Sequence, residues 1–144
     1  MVVGISLIWH GKSKNGGEPM THWSATLDGI RVISLKNSKR VVRTGGRTIV
    51  LPSKAHEKFM ALALPQLIPI RPRVPFDFPY TLHLTFHLKG KLDSDVDNLC
   101  ATVGDLLMAA GIVADDKQCM RLVAEKRSGG KDFVTEIEVV EREE

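Results

Sequence analysis

Cysteine is scarce in this chain of 144 residues: there are two, Cys100 and Cys119, with no C-x-x-C pair. That spacing excludes the usual zinc knuckles and a disulfide framework, and both are expected as small buried thiols suited to a reducing cytosol. Long apolar runs are absent too. No stretch reaches the ~20 residues that cross a bilayer, and Met1 to His10 is a short apolar run without a basic leader or a small-residue cleavage site. A cytoplasmic protein with no membrane partner is expected. Internal repeats and low-complexity tracts are also missing, and the length suits one domain, 1–144. Acidic side chains are rare in the first two thirds: residues 1–92 hold 4 Asp/Glu against 14 Lys/Arg, net +10, whereas residues 93–144 hold 13 against 6, net −7. Basic surface attracts a polyanion, and a compact acidic group can hold the hard divalent cations of phosphate chemistry. Two solvated faces of opposite sign would leave the same record.

What is present reads as an α+β pattern. Val2 to Trp9 predicts a first strand and Gly11 to Pro19 a loop, with two or three short strands across residues 22–50. Arg40 to Val50 reads as two β-branched runs about a Gly45-Gly46 turn, glycine supplying the positive φ of a tight hairpin. From Ser53, a candidate N-cap, Ala55, Phe59, Leu62 and Ala63 recur at helical spacing until Pro65, predicting a helix near 53–64. Pro65 to Pro79 reads as a linker. In Tyr80 to Leu88, Leu82, Leu84, Phe86 and Leu88 alternate with Thr81, His83, Thr85 and His87, the signature of a strand with one core face. Leu99, Val103, Leu106, Leu107 and Ala110 form a stripe on a helix near 97–110, capped by Asp95 or Asp97 and closed by Gly111. Cys119 to Glu125 and Phe133 to Val140 predict a terminal hairpin around Ser128-Gly129-Gly130.

Asp93, Asp95 and Asp97 stand on alternate residues between that strand and that helix. Alternate residues of an extended backbone project to one side, so two can face one ion, and a helix packed back on its strand can return Asp115-Asp116 to the sheet. Hydrolysis of a phosphodiester must neutralise the charge of the transition state and supply hydroxide at neutral pH, which carboxylate-bound Mg²⁺ can do. A calcium loop of the EF-hand type is excluded, since its sixth position would be Asn98 rather than Gly and its twelfth Gly104 rather than Glu. Helix capping needs one acid, while three within five residues repel one another unless a cation or solvent relieves them.

Asp95-Val96-Asp97-Asn98-Leu99, then Asp105-Leu106-Leu107, Gly111-Ile112-Val113, Asp115-Asp116-Lys117-Gln118 and Lys126 together resemble the signature of the RusA family of Holliday-junction resolvases. The resemblance implies an α+β fold with a mixed sheet and two main helices. It also implies a symmetric homodimer and a Mg²⁺-dependent endonuclease, with Mn²⁺ as an alternative ion, that cuts four-way DNA junctions in recombination and repair. Asp95, Asp97 and Asp116 would be its metal-binding catalytic carboxylates, Asp115 a supporting acid and Asn98 the partner that orients the loop.

At one position the chain departs from the family. Its members carry a lysine four residues after the second aspartate of the Asp-x-Asp-Asn run, where this chain has Ala101. An ammonium there can stabilise a charged transition state and an alanine cannot, so Lys117 or Lys91 is the candidate to replace it. A junction-binding protein with weak or no nuclease activity is the alternative reading. Lys36, Lys39, Arg40, Arg43 and Arg47, with Lys89 and Lys91 beside the acidic loop, would meet phosphates. The histidines are read as surface or interface residues. Trp9, Trp23 and Phe76 to Tyr80 are read as core or dimer contacts, with Phe86 or a loop aromatic as a candidate wedge between bases.

Overall fold

A computed structural model describes residues 5–10, 20–33, 39–52, 54–91 and 95–142. Its strands are β1 (Ile5–His10), β2 (Met20–Asp28), β3 (Lys39–Thr44), β4 (Arg47–Pro52), β5 (Tyr80–Lys89), β6 (Cys119–Gly130) and β7 (Val134–Glu141). Two helices, α1 (Lys54–Leu67) and α2 (Val96–Ala109), complete an α+β fold, with short 3-10 turns at Ile68–Ile70 and Asp116–Gln118. Five strands form a mixed sheet in the order β1-β2-β7-β5-β6, and β3 and β4 form a separate two-stranded ribbon. The expected hairpin at Gly45-Gly46 is this ribbon, both glycines having positive φ, 59° and 76°. The loop expected at Gly11 to Pro19 and the cap expected at Ser53 lie outside the described residues.

The alternation read in β5 sets the core. Leu82, Leu84, Phe86 and Leu88 are buried on one face, where Leu99, Val103, Leu106 and Leu107 of α2 join Trp23 and Leu27 of β2 and Phe59, Ala63 and Leu67 of α1 in one cluster. Phe86 is 1% exposed. It is therefore a core residue and not the wedge that the sequence suggested, because its place on the apolar face of a central strand leaves it no path to a partner.

Two elements differ from expectation. The first helix runs through Pro65 to Leu67. Proline there deletes one backbone hydrogen bond, but buried Ala63 and Leu67 hold the last turn on the core. The Gln66 side chain also accepts from the Asp28 N–H and donates to the Asp28 carbonyl, tying that turn to β2. The second difference is at the C-terminus, where β6 and β7 do not form a hairpin. β5 lies between them, parallel to β6 and antiparallel to β7. β5, buried along most of its length, is stabilised more by an inner place than β6, whose residues are mostly exposed. The link from β6 to β7 crosses the end of β5, where the Gly90 N–H donates to the Gly130 carbonyl at 3.0 Å and the Gly129 N–H to the Gly90 carbonyl at 2.7 Å. A β-carbon at Gly130 would stand 3.2 Å from the Leu88 carbonyl oxygen, so the crossing favours glycine.

Candidate active site

β5, α2 and β6 make a β-α-β unit, and the acidic residues sit at its two turns. Asp95 occupies the N-cap position of α2 in extended backbone, but its carboxylate does not cap the helix. It accepts instead from Asn98 Nδ2 at 3.4 Å, while Asp97 Oδ1 accepts from the Asn98 N–H at 3.0 Å. Asn98 thus contacts both acids, one through its side-chain amide and one through its backbone N–H. Asp95 makes no cap bond, while Asp97 satisfies one N–H of the first turn of α2.

At the second turn Asp115 does cap, accepting from the Lys117 N–H at 2.9 Å to start the 3-10 turn Asp116–Gln118. Its neighbour Asp116 is exposed, and among the described residues its carboxylate has no hydrogen bond or ion pair. Lys117 is exposed beside it, as is Lys91 before α2.

The two turns are joined through a buried patch. Burial pushes the Cys100 thiol up to about 11, with smaller contributions from Asp97 and from Cys119. Cys119 is likewise raised, first by burial, and Asp116 adds to it. Tyr80, opposite Cys119 in the sheet register, is raised by burial and then by Cys119, Asp116 and Asp115. Each of these charges acts over short range in a protein. Asp97 therefore lies near Cys100, and Asp116 near Cys119 and Tyr80. Cys100 is buried as expected, whereas Cys119 is only half-buried; both thiols are free.

Among the described residues no three His, Cys, Asp or Glu side chains converge closely enough to form a metal cage, and Asp93 lies outside those residues. The donor chemistry nevertheless suits a hard cation: exposed carboxylates without a competing lysine or arginine among the described residues. Mg²⁺ is usually held by one or two carboxylates with water and substrate phosphates completing the shell, and Asp97 and Asp116 are exposed donors of that kind.

Arg43 and Arg47 are exposed next to the Gly45-Gly46 turn, and Lys39 and Arg40 lie on β3. Lys89 is exposed at the end of β5, and Lys36 falls outside the described residues. Residues 32–140, a span that holds all of these positions, match the family model described as Endodeoxyribonuclease RusA. The chain belongs to the RusA family. The match takes in the helices, β3 to β7 and every acidic position named above, so the RusA chain is a DNA endonuclease by descent. No match is found among curated proteins. The described part of this RusA domain contains no helix long and apolar enough to cross a membrane.

Two basic residues escape a reading of the sequence alone. Arg71 and Arg73 are exposed in the Pro-rich stretch before β5, which reads as a mere linker. Their only signal is arginine among four prolines, and spacing cannot show that this stretch runs beside Asp115-Asp116.

Proposed function

We propose that this RusA-family chain is a Mg²⁺-dependent, structure-selective endodeoxyribonuclease that resolves four-way DNA junctions in recombination and repair, acting as a symmetric homodimer. The observation that carries this reading is the family match, which spans both turns of the β-α-β unit where Asp97 and Asp116 stand with their carboxylates exposed, Asp97 near Cys100 and Asp116 near Cys119. Asp97 and Asp116 would hold the ion, with Asp95 and Asp115 in support; Mn²⁺ has the same oxygen preference. When bound, the ion supplies charge neutralisation at the phosphate and a hydroxide at neutral pH.

The chain's own groups do the rest. Asn98 fixes the carboxylates of Asp95 and Asp97. Asp115 sets the 3-10 turn that presents Asp116 and Lys117. Lys117 provides the ammonium nearest in sequence to the acidic site, where it can bind a nonbridging oxygen or steady the departing 3′ or 5′ oxygen. A two-fold dimer matches the paired like-polarity strands of a four-way junction. Self-association has apolar surface to draw on, since Met120, Leu122 and Val123 are exposed on β6, an edge strand of the sheet.

Ala101 favours a second reading, in which the chain binds junctions and cuts them slowly or not at all. Incubating the protein with an end-labelled mobile junction and with linear duplex of the same sequence, with Mg²⁺ and with EDTA, decides between the two. Paired nicks in the junction only with Mg²⁺ are expected. Binding without cleavage in Mg²⁺ or Mn²⁺ selects the second reading, and no preference for the junction removes both.

A further inference from the structure

The stretch from Arg71 to Pro75 has an unusual combination of rigidity and exposure. Prolines at 69, 72, 75 and 79 fix φ along it. It is pinned on one side where Trp23 Nε1 donates to the Ile70 carbonyl at 3.1 Å. On the other side, the Phe76 N–H donates to the Ile112 carbonyl at 2.8 Å, and the Ala114 N–H donates to the Phe76 carbonyl at 2.9 Å. Gln118 Nε2 donates to Asp77 Oδ1 at 2.8 Å, and the Phe76 and Phe78 rings pack with centroids 5.2 Å apart. Between these anchors Val74 is 70% exposed, the most exposed large apolar side chain among the described residues. Arg71 and Arg73 precede it, also exposed, with Arg71 Cδ and Nη1 lying over Gly111.

Its position matters as much as its shape. The anchors at 112, 114 and 118 bracket Asp115-Asp116, so the arm runs alongside the turn that presents a candidate metal ligand. An exposed apolar side chain next to two exposed arginines, on a stretch held by bonds at both ends, takes no part in packing, since its neighbours bury little of it. Guanidinium groups bind phosphate oxygens in a bidentate fashion, and an apolar side chain held beside such phosphate anchors can fill the gap where bases unstack.

We propose that Arg71 to Pro75 is a DNA-binding arm: Arg71 and Arg73 bind backbone phosphates, and Val74 packs on the unstacked base-pair face at the branch point, setting the acidic site at the crossover. The proposal rests on the junction-cleaving reading and adds to it the element that recognises the branch. Because the anchors are backbone bonds and half-buried rings at other positions, substitutions at 71, 73 and 74 leave the fold intact.

The test uses the full-length protein in EDTA, which stops cleavage, with a four-way junction carrying 2-aminopurine beside the branch point and a matched linear duplex. Wild type should bind the junction more tightly and raise the 2-aminopurine fluorescence. Val74→Ser should lose most of that fluorescence rise and about ten-fold of the preference for junction over duplex, at an unchanged melting temperature. Arg71→Ala with Arg73→Ala should weaken binding to both DNAs and lower the slope of log K against log salt by roughly two. If wild type prefers the junction but all variants match it in slope, preference and fluorescence, the arm is overturned while the junction reading stands. If wild type shows no preference for the junction, both fall together.

Discussion

At the scale of single residues, the candidate site depends on which carboxylates are engaged and which are left to a ligand. Asp115 is occupied by a cap and Asp95 by Asn98, whereas Asp116 is unengaged and Asp97 accepts only a local backbone N–H. Asp97→Asn should therefore reduce junction cleavage by at least about a hundred-fold while binding holds or tightens, because it removes a ligand charge and also repulsion toward phosphate. Asparagine keeps the first turn of α2 intact, so the melting temperature should move little. Full cleavage by Asp97→Asn in a single-turnover assay would take this residue out of the site. Ala101 is exposed one turn along α2 from Asp97, on the same face of the helix. Ala101→Lys should raise the single-turnover rate about ten-fold if the charge is missing there, with little change in affinity. Lys117→Ala should instead collapse the rate if that residue already supplies it. Both variants cutting at the wild-type rate would show that no nearby ammonium is needed.

At the scale of elements, the β3-β4 ribbon is the clearest basic feature away from the acidic turns. Its hydrogen bonds close a two-residue turn of positive-φ glycines and leave Arg43 and Arg47 exposed on either side. Replacing both by alanine should lower the salt slope of junction binding by at most roughly two units, since a phosphate that no arginine neutralises keeps its condensed counterion. An unchanged slope in a fluorescence-anisotropy titration would place the ribbon away from DNA. Much at this scale was legible in sequence: β5 from its period of two, α2 from its apolar stripe, and the ribbon from Gly45-Gly46, because each signal is local. The extension of α1 past Pro65 was not legible, since the bonds that hold it reach from Gln66 to Asp28. The arm at 71–75 was invisible for the same reason: prolines predict the absence of regular structure, and residues 112, 114 and 118, whose bonds make the stretch rigid, are distant in sequence. The acidic residues were legible as candidates, but the gap between Asp97 and Asp116 could be bridged only by the fold, through two cysteines that looked like filler.

At the scale of the whole molecule, the order of strands matters more than their number. The expected terminal hairpin would have left β6 and β7 as neighbours, a local pairing formed early. Instead β7 joins β2 on one side and β5 on the other, so within the sheet it is the seam between the N-terminal strands and the β-α-β unit bearing the acidic turns. A chain ending at Phe133 should show no cooperative thermal transition and should expose apolar surface to a hydrophobic dye, because β2 and β5 would each lose an inner edge. A single sharp transition in that fragment would mean the helices alone join the halves. The chain is made from its N-terminus, and β7 leaves the ribosome after every other described strand of this sheet. The basic ribbon and the acidic turns therefore emerge before the sheet that holds them in one frame can close, and a nascent chain stalled between Lys117 and β7 carries both without the strand that joins their halves.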